Sequence, residues 1–315
     1  MDRYVIYIGT RKSQLAQWQS KQVQLLLKKN NCPAELVLIK SEGDLNLTTP
    51  LYEMGVQGIF TKTLDAALLN NRIDLAVHSY KDVPTKLADG LQIAAVLRRG
   101  NPFDILVLHS KQQLTNIDTL YNHEPIRIAT SSIRRKAQWL NRFPKSLLEN
   151  LRGNVNTRLQ KLENANWYGA VFAAAGIERL NIDNLSTVKL DWMLPAPAQG
   201  AIVIVCRKDD DKIINACASL NDFDTQVCTQ VEKDFLRMLM GGCSTPIAAY
   251  AQIVNNELFF KGNILSVDGK QKVSVELIES MESFAGMGSK AAALIIANGG
   301  TAIMDSFKQT KIENE

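Results

Sequence analysis

Six arginines stand at or just after places where a predicted strand gives way to a loop or helix: Arg11, Arg134, Arg135, Arg152, Arg158 and Arg179. A guanidinium is a planar fork that matches a carboxylate with two hydrogen bonds. One such arginine would be an ordinary surface residue. Six along the ligand-binding edge of alternating strands and helices imply a cleft that holds a ligand with several carboxylates. Asp82 stands among these cations, directly after Lys81. An acid so surrounded would stay ionised, which suits it to steadying a developing positive charge or accepting N–H hydrogen bonds. The plainer reading of Asp82 is a turn or cap aspartate. Cys243 follows Gly241-Gly242 after a predicted helix. Its thiolate could be a nucleophile or an attachment point, but a single cysteine there is more often a small buried hydrophobe.

The elements that must position these groups are legible from apolar runs and caps. Asp74 to Pro84 is the central stretch: Leu75-Ala76-Val77 reads as a buried strand, and His78-Ser79-Tyr80-Lys81-Asp82 follows as a loop. Pro84 biases Val83 to extended geometry and stops any helix. Strands are expected at Tyr4 to Ile8, Leu36 to Ile39 and Gln92 to Leu97, with a helix capped by Ser13 running toward Asn30. A second helix should bury Phe60, Leu64, Ala67 and Leu68 after a Gly-bearing loop, Ser41 to Gln57. Arg98 to Pro102 and Pro195 to Gly200 are candidate hinges. Between them lie strands at Ile105–Leu108, Ile126–Ala129 and Ala170–Ala174, with helices after Ser132 and Asn156. A strand at Ala201–Val205 follows the second hinge, so residues 201–220 should rejoin the first domain. The division expected is 1–99 with 201–220, then 103–196, then 222–315, the last opening on a helix from about Thr225 to Met240.

The stretch Thr130-Ser131-Ser132-Ile133-Arg134-Arg135 poses a question of its own. Ser131 and Ser132 are good helix caps, and free N–H groups at a helix start take anions. Arg134 and Arg135 would nevertheless fall in the first turn, where cations oppose the helix dipole. Either a bound anion resolves that conflict, or the two side chains extend into solvent or pair with surface acids.

Bulk properties narrow the classes. The chain has 315 residues, 46% hydrophobic and 22% charged, which suits a soluble globular protein of two or three domains. No apolar run is long enough for a membrane span. The N-terminal segment reads as a strand without the features of a signal peptide, so the cytoplasm is expected. Five cysteines without a C-x-x-C, and three scattered histidines, argue against a disulfide framework and a metal centre. Residues 1–200 carry 25 Lys+Arg against 17 Asp+Glu, and residues 201–315 carry 11 against 15. A basic face can attract nucleic acid or a small polyanion. Aromatic residues do not interleave with the basic ones, which favours the small polyanion.

Taken in order, Gly9-Thr10-Arg11-Lys12-Ser13-Gln14-Leu15-Ala16, His78 to Pro84, Thr130 to Arg135, Leu151 to Leu159, Ala173 to Leu180 and Gly241-Gly242-Cys243 resemble the porphobilinogen deaminases, or hydroxymethylbilane synthases. The resemblance spans nearly the whole chain. It implies an α/β fold: two domains like type II periplasmic binding proteins, joined by a two-strand hinge, and a smaller C-terminal α/β domain. It implies a transferase that condenses four porphobilinogen molecules head to tail with loss of ammonia, on a dipyrromethane cofactor, and releases hydroxymethylbilane by hydrolysis. Asp82 then matches the catalytic aspartate, and Cys243 the cysteine that holds the cofactor through a thioether. Arg11, Arg134, Arg135, Arg152, Arg158 and Arg179 match arginines that bind cofactor and substrate carboxylates. Ser13, Lys62, Lys81, Thr130, Ser131, Ser132 and Gln199 match supporting positions, Lys62 on the substrate side. A monomer without nucleic-acid or membrane partners is implied.

The chain departs from the family pattern at several positions. Gln57 stands for a common lysine, Ala198 for a usual glycine, Tyr80 for a methionine or leucine, and Gly169 for a common aspartate; Met240 and Ser244-Thr245 flank Cys243 less typically. Tyr80 could pack inward or narrow the site beside Asp82. The competing reading of the whole chain is a non-enzymatic two-domain binder of a small polycarboxylate, which the fold alone would permit.

Overall fold

The computed structural model describes residues 4–40, 61–114, 116–122, 125–239 and 245–312. The expectations for Gln57, the Ser41 to Gln57 loop, Phe60, Met240, Gly241-Gly242-Cys243 and Ser244 therefore lie outside the described residues.

Short apolar strands alternate with capped helices from the start: β1 (Ile6–Thr10), α1 (Gln14–Lys29), β2 (Ala34–Leu38), α2 (Lys62–Leu69), β3 (Leu75–Ser79) and β4 (Leu91–Val96). Ser13 caps α1 as expected, its hydroxyl accepting the Ala16 N–H. The first strand begins and ends two residues later than its apolar run suggested, because Thr10 still pairs with Leu38 of β2. Next come β5 (Asp104–Leu108), β6 (Arg127–Ala129), α3 (Ile133–Arg142), β7 (Leu147–Glu149), α4 (Val155–Asn164), β8 (Gly169–Ala173), α5 (Ala174–Arg179), β9 (Thr187–Lys189), β10 (Ile202–Arg207) and α6 (Asp211–Ala218). The chain finishes with α7 (Phe223–Met238), β11 (Ile247–Val254), β12 (Glu257–Leu265), β13 (Lys272–Ser280), α8 (Met287–Ile295) and α9 (Thr301–Ile312).

Two five-stranded sheets share one plan. The first runs β2-β1-β3-β10-β4, the second β7-β6-β8-β5-β9. In each, three parallel strands are followed by an antiparallel one: β10 beside β3, and β5 beside β8. Each antiparallel strand adjoins a crossing between the two halves. Helices cover both faces of the first sheet, so its inner strands are apolar on both sides. Ile8, Leu75 and Ile204 pack with Val23 and Leu27 of α1 and with Ile213 and Cys217 of α6. Ala76 and Val205 pack with Leu64 and Leu68 of α2. The second sheet buries Trp139 and Phe143 on one face and Leu162 and Ile177 on the other. This is a pair of α/β domains, each built on a five-stranded mixed sheet. The third sheet, β11-β12-β13, is antiparallel, and its core joins Phe235 of α7 to Phe260 with ring centroids 5.1 Å apart.

The two crossings lie side by side, with the Gly100 N–H donating to the Gly200 carbonyl at 3.1 Å. Gly200 has φ +90°, and a β-carbon there would stand 2.8 Å from the Gly100 oxygen. Glu232 of α7 is fully buried beneath them. It accepts the Arg99 guanidinium at 2.6 and 3.1 Å, the Ala198 N–H at 2.6 Å and the Ala251 N–H at 2.7 Å. One carboxylate thus ties both crossings to the third domain. No described helix is long and apolar enough to cross a membrane.

Candidate active site

β1, β3, β6 and β8 are parallel within their sheets, and the segments leaving their carboxyl ends line a cleft of about 610 Å³ between the first two domains. β3 delivers Asp82. After Ser79 the chain makes one tight turn, Tyr80–Asp82, which extended Val83 and Pro84 end, as the proline required. Tyr80 goes inward: it is 4% exposed and packs with Val83, Val96, Ala198, Ala201 and Val203. Lys81 and Asp82 go to the cleft. Asp82 is the one acid among the described residues lining it, against Arg11, Lys12, Lys81, Arg134, Arg135, Arg152 and Arg158.

The hydroxyls after β6 are committed locally. Thr130 accepts the Ser132 N–H, Ser131 accepts the Leu151 N–H at 2.7 Å, and Ser132 caps α3 by accepting the Arg135 N–H. A hydroxyl that accepts still has its own proton to donate, and all three line the cleft. α4 is capped by Asn154, with Arg158 one turn in, its Nε on the Gly153 carbonyl at 2.7 Å. Ser13 and Arg11 arrive on the loop between β1 and α1.

The cation conflict in the first turn of α3 has an answer that the sequence reading did not contain. Arg134 and Arg135 are buried, and each donates to Asp104 at 2.7 Å, one per carboxylate oxygen. They neither extend into solvent nor pair with a surface acid: Asp104, at the head of β5, is fully buried. Burial alone would raise its carboxyl. Arg134, Arg135 and Lys81 outweigh that and hold it well below the usual carboxylate range. Gln199 completes the group, with its amide N–H on Asp104 at 2.9 Å and its carbonyl accepting from Lys81 at 3.2 Å. Asp104 and Glu232 are the functional residues that sequence reasoning missed. Each pairs with an arginine remote in the chain, Asp104 across 30 and 31 residues and Glu232 across 133, so no local pattern could announce them.

Two expected residues stand apart from the cleft lining. Arg179, at the end of α5, donates to the Gly200 carbonyl and lies 5.7 Å from the Trp18 ring of α1, so it bridges the domains beside the hinge. Lys62 is exposed at the first turn of α2.

The cations of this site are held at a cost. Enclosure pushes Lys81 down to about 8, with Arg135 and Arg134 adding to it against the pull of Asp82 and Asp104. Burial pushes Arg158 down to about 10, helped by Arg135 and Arg152. Like charges crowded at one surface are relieved by an anion, so the site calls for a ligand with more than one negative group.

Known proteins agree with this chemistry. The family model "Porphobilinogen deaminase, dipyromethane cofactor binding domain" matches residues 6–215, and "Porphobilinogen deaminase, C-terminal domain" matches residues 226–297. The porphobilinogen deaminase of Desulforamulus reducens is 37% identical over 310 residues, 97% of this chain and 99% of the relative. That of Trichlorobacter lovleyi is 38% identical over 97% of both chains, and that of Nostoc sp. 38% identical over 97% of this chain and 95% of the relative. The chain belongs to the porphobilinogen deaminase family.

The first two domains are therefore the family's dipyrromethane-binding part, and the residues present fit such a group. A dipyrromethane built from porphobilinogen carries several carboxylates and two pyrrole N–H donors. The cleft offers cations for the former and Asp82 for the latter. The buried Nε atoms of Arg134 and Arg135 have no acceptor among the described residues, so each guanidinium keeps a hydrogen bond to give.

Proposed function

We propose that this chain condenses four porphobilinogen molecules head to tail, losing ammonia at each addition, and releases hydroxymethylbilane by hydrolysis, as a cytoplasmic, monomeric transferase of tetrapyrrole biosynthesis. The observation that carries the reading is Asp82 as the one acid among the described residues of a cleft lined with cations. Porphobilinogen bears an acetate and a propionate, for which Arg11, Arg152 and Arg158 offer bidentate partners. Departure of ammonia leaves a methylene-pyrrole cation delocalised onto the ring nitrogen. The Asp82 carboxylate accepts the pyrrole N–H and stabilises that cation, most strongly where charge develops. Lys81, Arg134, Arg135 and the hydroxyls of Ser13, Thr130, Ser131 and Ser132 would hold the carboxylates of a bound dipyrromethane, with Gln199 supporting Lys81 from behind. Once attached as a thioether to Cys243, the dipyrromethane supplies the nucleophilic pyrrole carbon on which the chain grows. In this reading Arg179 and Lys62 meet substrate.

We divide the chain for this work into residues 1–99 with 201–220, residues 103–196 and residues 222–315. Three separate sheets with their own apolar cores support that division. A non-enzymatic polycarboxylate binder is not favoured, because such a protein needs neither an acid among its cations nor a cysteine anchor.

The test is turnover. Purified protein given porphobilinogen should release ammonia and a linear tetrapyrrole. Asp82→Ala should lower kcat at least about a hundredfold while the variant keeps its fold, as removal of one charge-stabilising group does elsewhere. Full turnover by that variant would remove Asp82 from the mechanism.

A further inference from the structure

The buried carboxylate of Asp104 belongs to no motif that marks the site, yet it touches three of the groups that do. Its Oδ2 accepts Arg134 at 2.7 Å; its Oδ1 accepts Arg135 at 2.7 Å and the Gln199 Nε2 at 2.9 Å. The Gln199 Nε2 also donates to the Pro102 carbonyl at 2.7 Å. Asp104 and Pro102 O only accept, and the Lys81 ammonium only donates, so the amide of Gln199 has a single workable orientation. Its oxygen must face Lys81, as it does at 3.2 Å. The result is one polar relay, without a break, from α3 of the second domain through the head of β5 and the hinge to the residue next to Asp82. The outer ends of the two arginines are fixed as well. Arg134 donates to Leu194 O at 2.6 Å and Arg135 to Val171 O at 2.9 Å.

We propose that Asp104 is a positioning residue for the reaction: it sets the direction of the relay that aims Arg134, Arg135 and Lys81 at the anionic ligand beside Asp82. A hydrophobic residue at the head of β5 would leave two guanidinium groups buried without their partner. An asparagine is nearly the same size but reverses one end of the polarity. Its NH2 must face Arg134, or else Arg135 and Gln199, and every one of those contacts is already a donor. If Gln199 flips in response, it turns its own NH2 toward Lys81. Lys81 also faces Asp82, Arg134 and Arg135, so loss of the Asp104 charge leaves it with one acid against two guanidinium groups. The same substitution therefore loosens carboxylate binding and destabilises the ammonium, without emptying any volume.

The proposal rests on the porphobilinogen reading for its kinetic consequence but not for its structural one. The experiment compares wild type, Asp104→Asn and Leu27→Ala, a cavity variant near the end of α1 whose side chain is fully buried in the core of the first sheet. Two quantities are read: the KM–kcat split for porphobilinogen, and the Lys81 ammonium titration by NMR, on protein carrying the additional Cys243→Ser change so that no pyrrole group masks the cleft. Asp104→Asn should raise KM at least tenfold and move the Lys81 titration below the wild-type midpoint. Leu27→Ala should lower the melting temperature while leaving both unchanged. An unmoved Lys81 midpoint in Asp104→Asn overturns the relay, whatever the activity. Absence of turnover in wild type would instead strike at the proposed function and leave the titration as the judge of the relay. If Asp104→Asn does not fold, Gln199→Met cuts the link to Lys81 but keeps both arginines on Asp104. It should raise KM at least threefold, and an unchanged KM would overturn the proposal.

Discussion

His78 and Asp82 belong to one short stretch and meet opposite surroundings. Asp82 faces the cleft, whereas His78 is 6% exposed in β3, and its Nε2 has no partner among the described residues. Burial, with Arg11 adding to it, pushes the imidazole down from 6.5 to about 4. A folded-state pKa below the unfolded one means that the unfolded chain takes up a proton first as pH falls. Stability is then complete above about 6.5 and is lost progressively as pH falls through 6.5 toward 4, by up to about 3 kcal/mol. Chemical unfolding at pH 7.5 and pH 4.5 should show that loss in wild type and a smaller one in His78→Gln. Parallel losses in the two proteins would mean that His78 is not the group responsible. Tyr80, the neighbour whose orientation the sequence left open, packs inward, with Lys233 of α7 at 5.1 Å from its ring. It therefore packs into the core rather than narrowing the site.

At the scale of elements, the hinge carries the tightest constraints. Gly200 combines positive φ with a backbone contact that leaves no room for a β-carbon. Gly200→Ala should therefore cost about 2 kcal/mol or more, read as a drop in melting temperature, and should perturb turnover because Gln199 is the adjacent residue. A variant as stable and active as wild type would show that the two crossings are not held together there. Ala198 shows the same physics. It sits at φ +61°, a region that costs an alanine about 1–2 kcal/mol and a glycine little. The family resemblance implies glycine at that position, and the backbone angle gives a physical reason for it. Here the Glu232 carboxylate on the Ala198 N–H helps to hold the strained residue in place.

For the whole molecule, what could be read from sequence followed the range of the forces involved. Strands and caps answer to neighbours in the chain, so Leu75 to Val77, Ser13 and Ser132 announced β3, α1 and α3. The return of β10 into the first sheet was readable from two proline- and glycine-marked breaks around a middle block. The cationic cleft was readable because its arginines follow strands in a recurring way. The residues that hold those arginines were not, since Asp104 looked like one more polar residue at a strand start. Arg179 was placed by its position after β8, but its contacts come from Trp18 and Gly200, which only the closing of two domains brings near. The basic first two thirds of the chain and the acidic last third now have a physical sense: the positive charge gathers where a polyanion is held, and the third domain contributes Glu232 to the hinge.

On the proposed function, the cleft serves a pyrrole group anchored at Cys243. Intact-mass spectrometry of the purified protein tests it most directly. The wild-type mass should exceed that of the bare polypeptide by two linked pyrrole units derived from porphobilinogen, an increase absent from Cys243→Ser. A wild-type protein that stays at its bare polypeptide mass after incubation with porphobilinogen would contradict it.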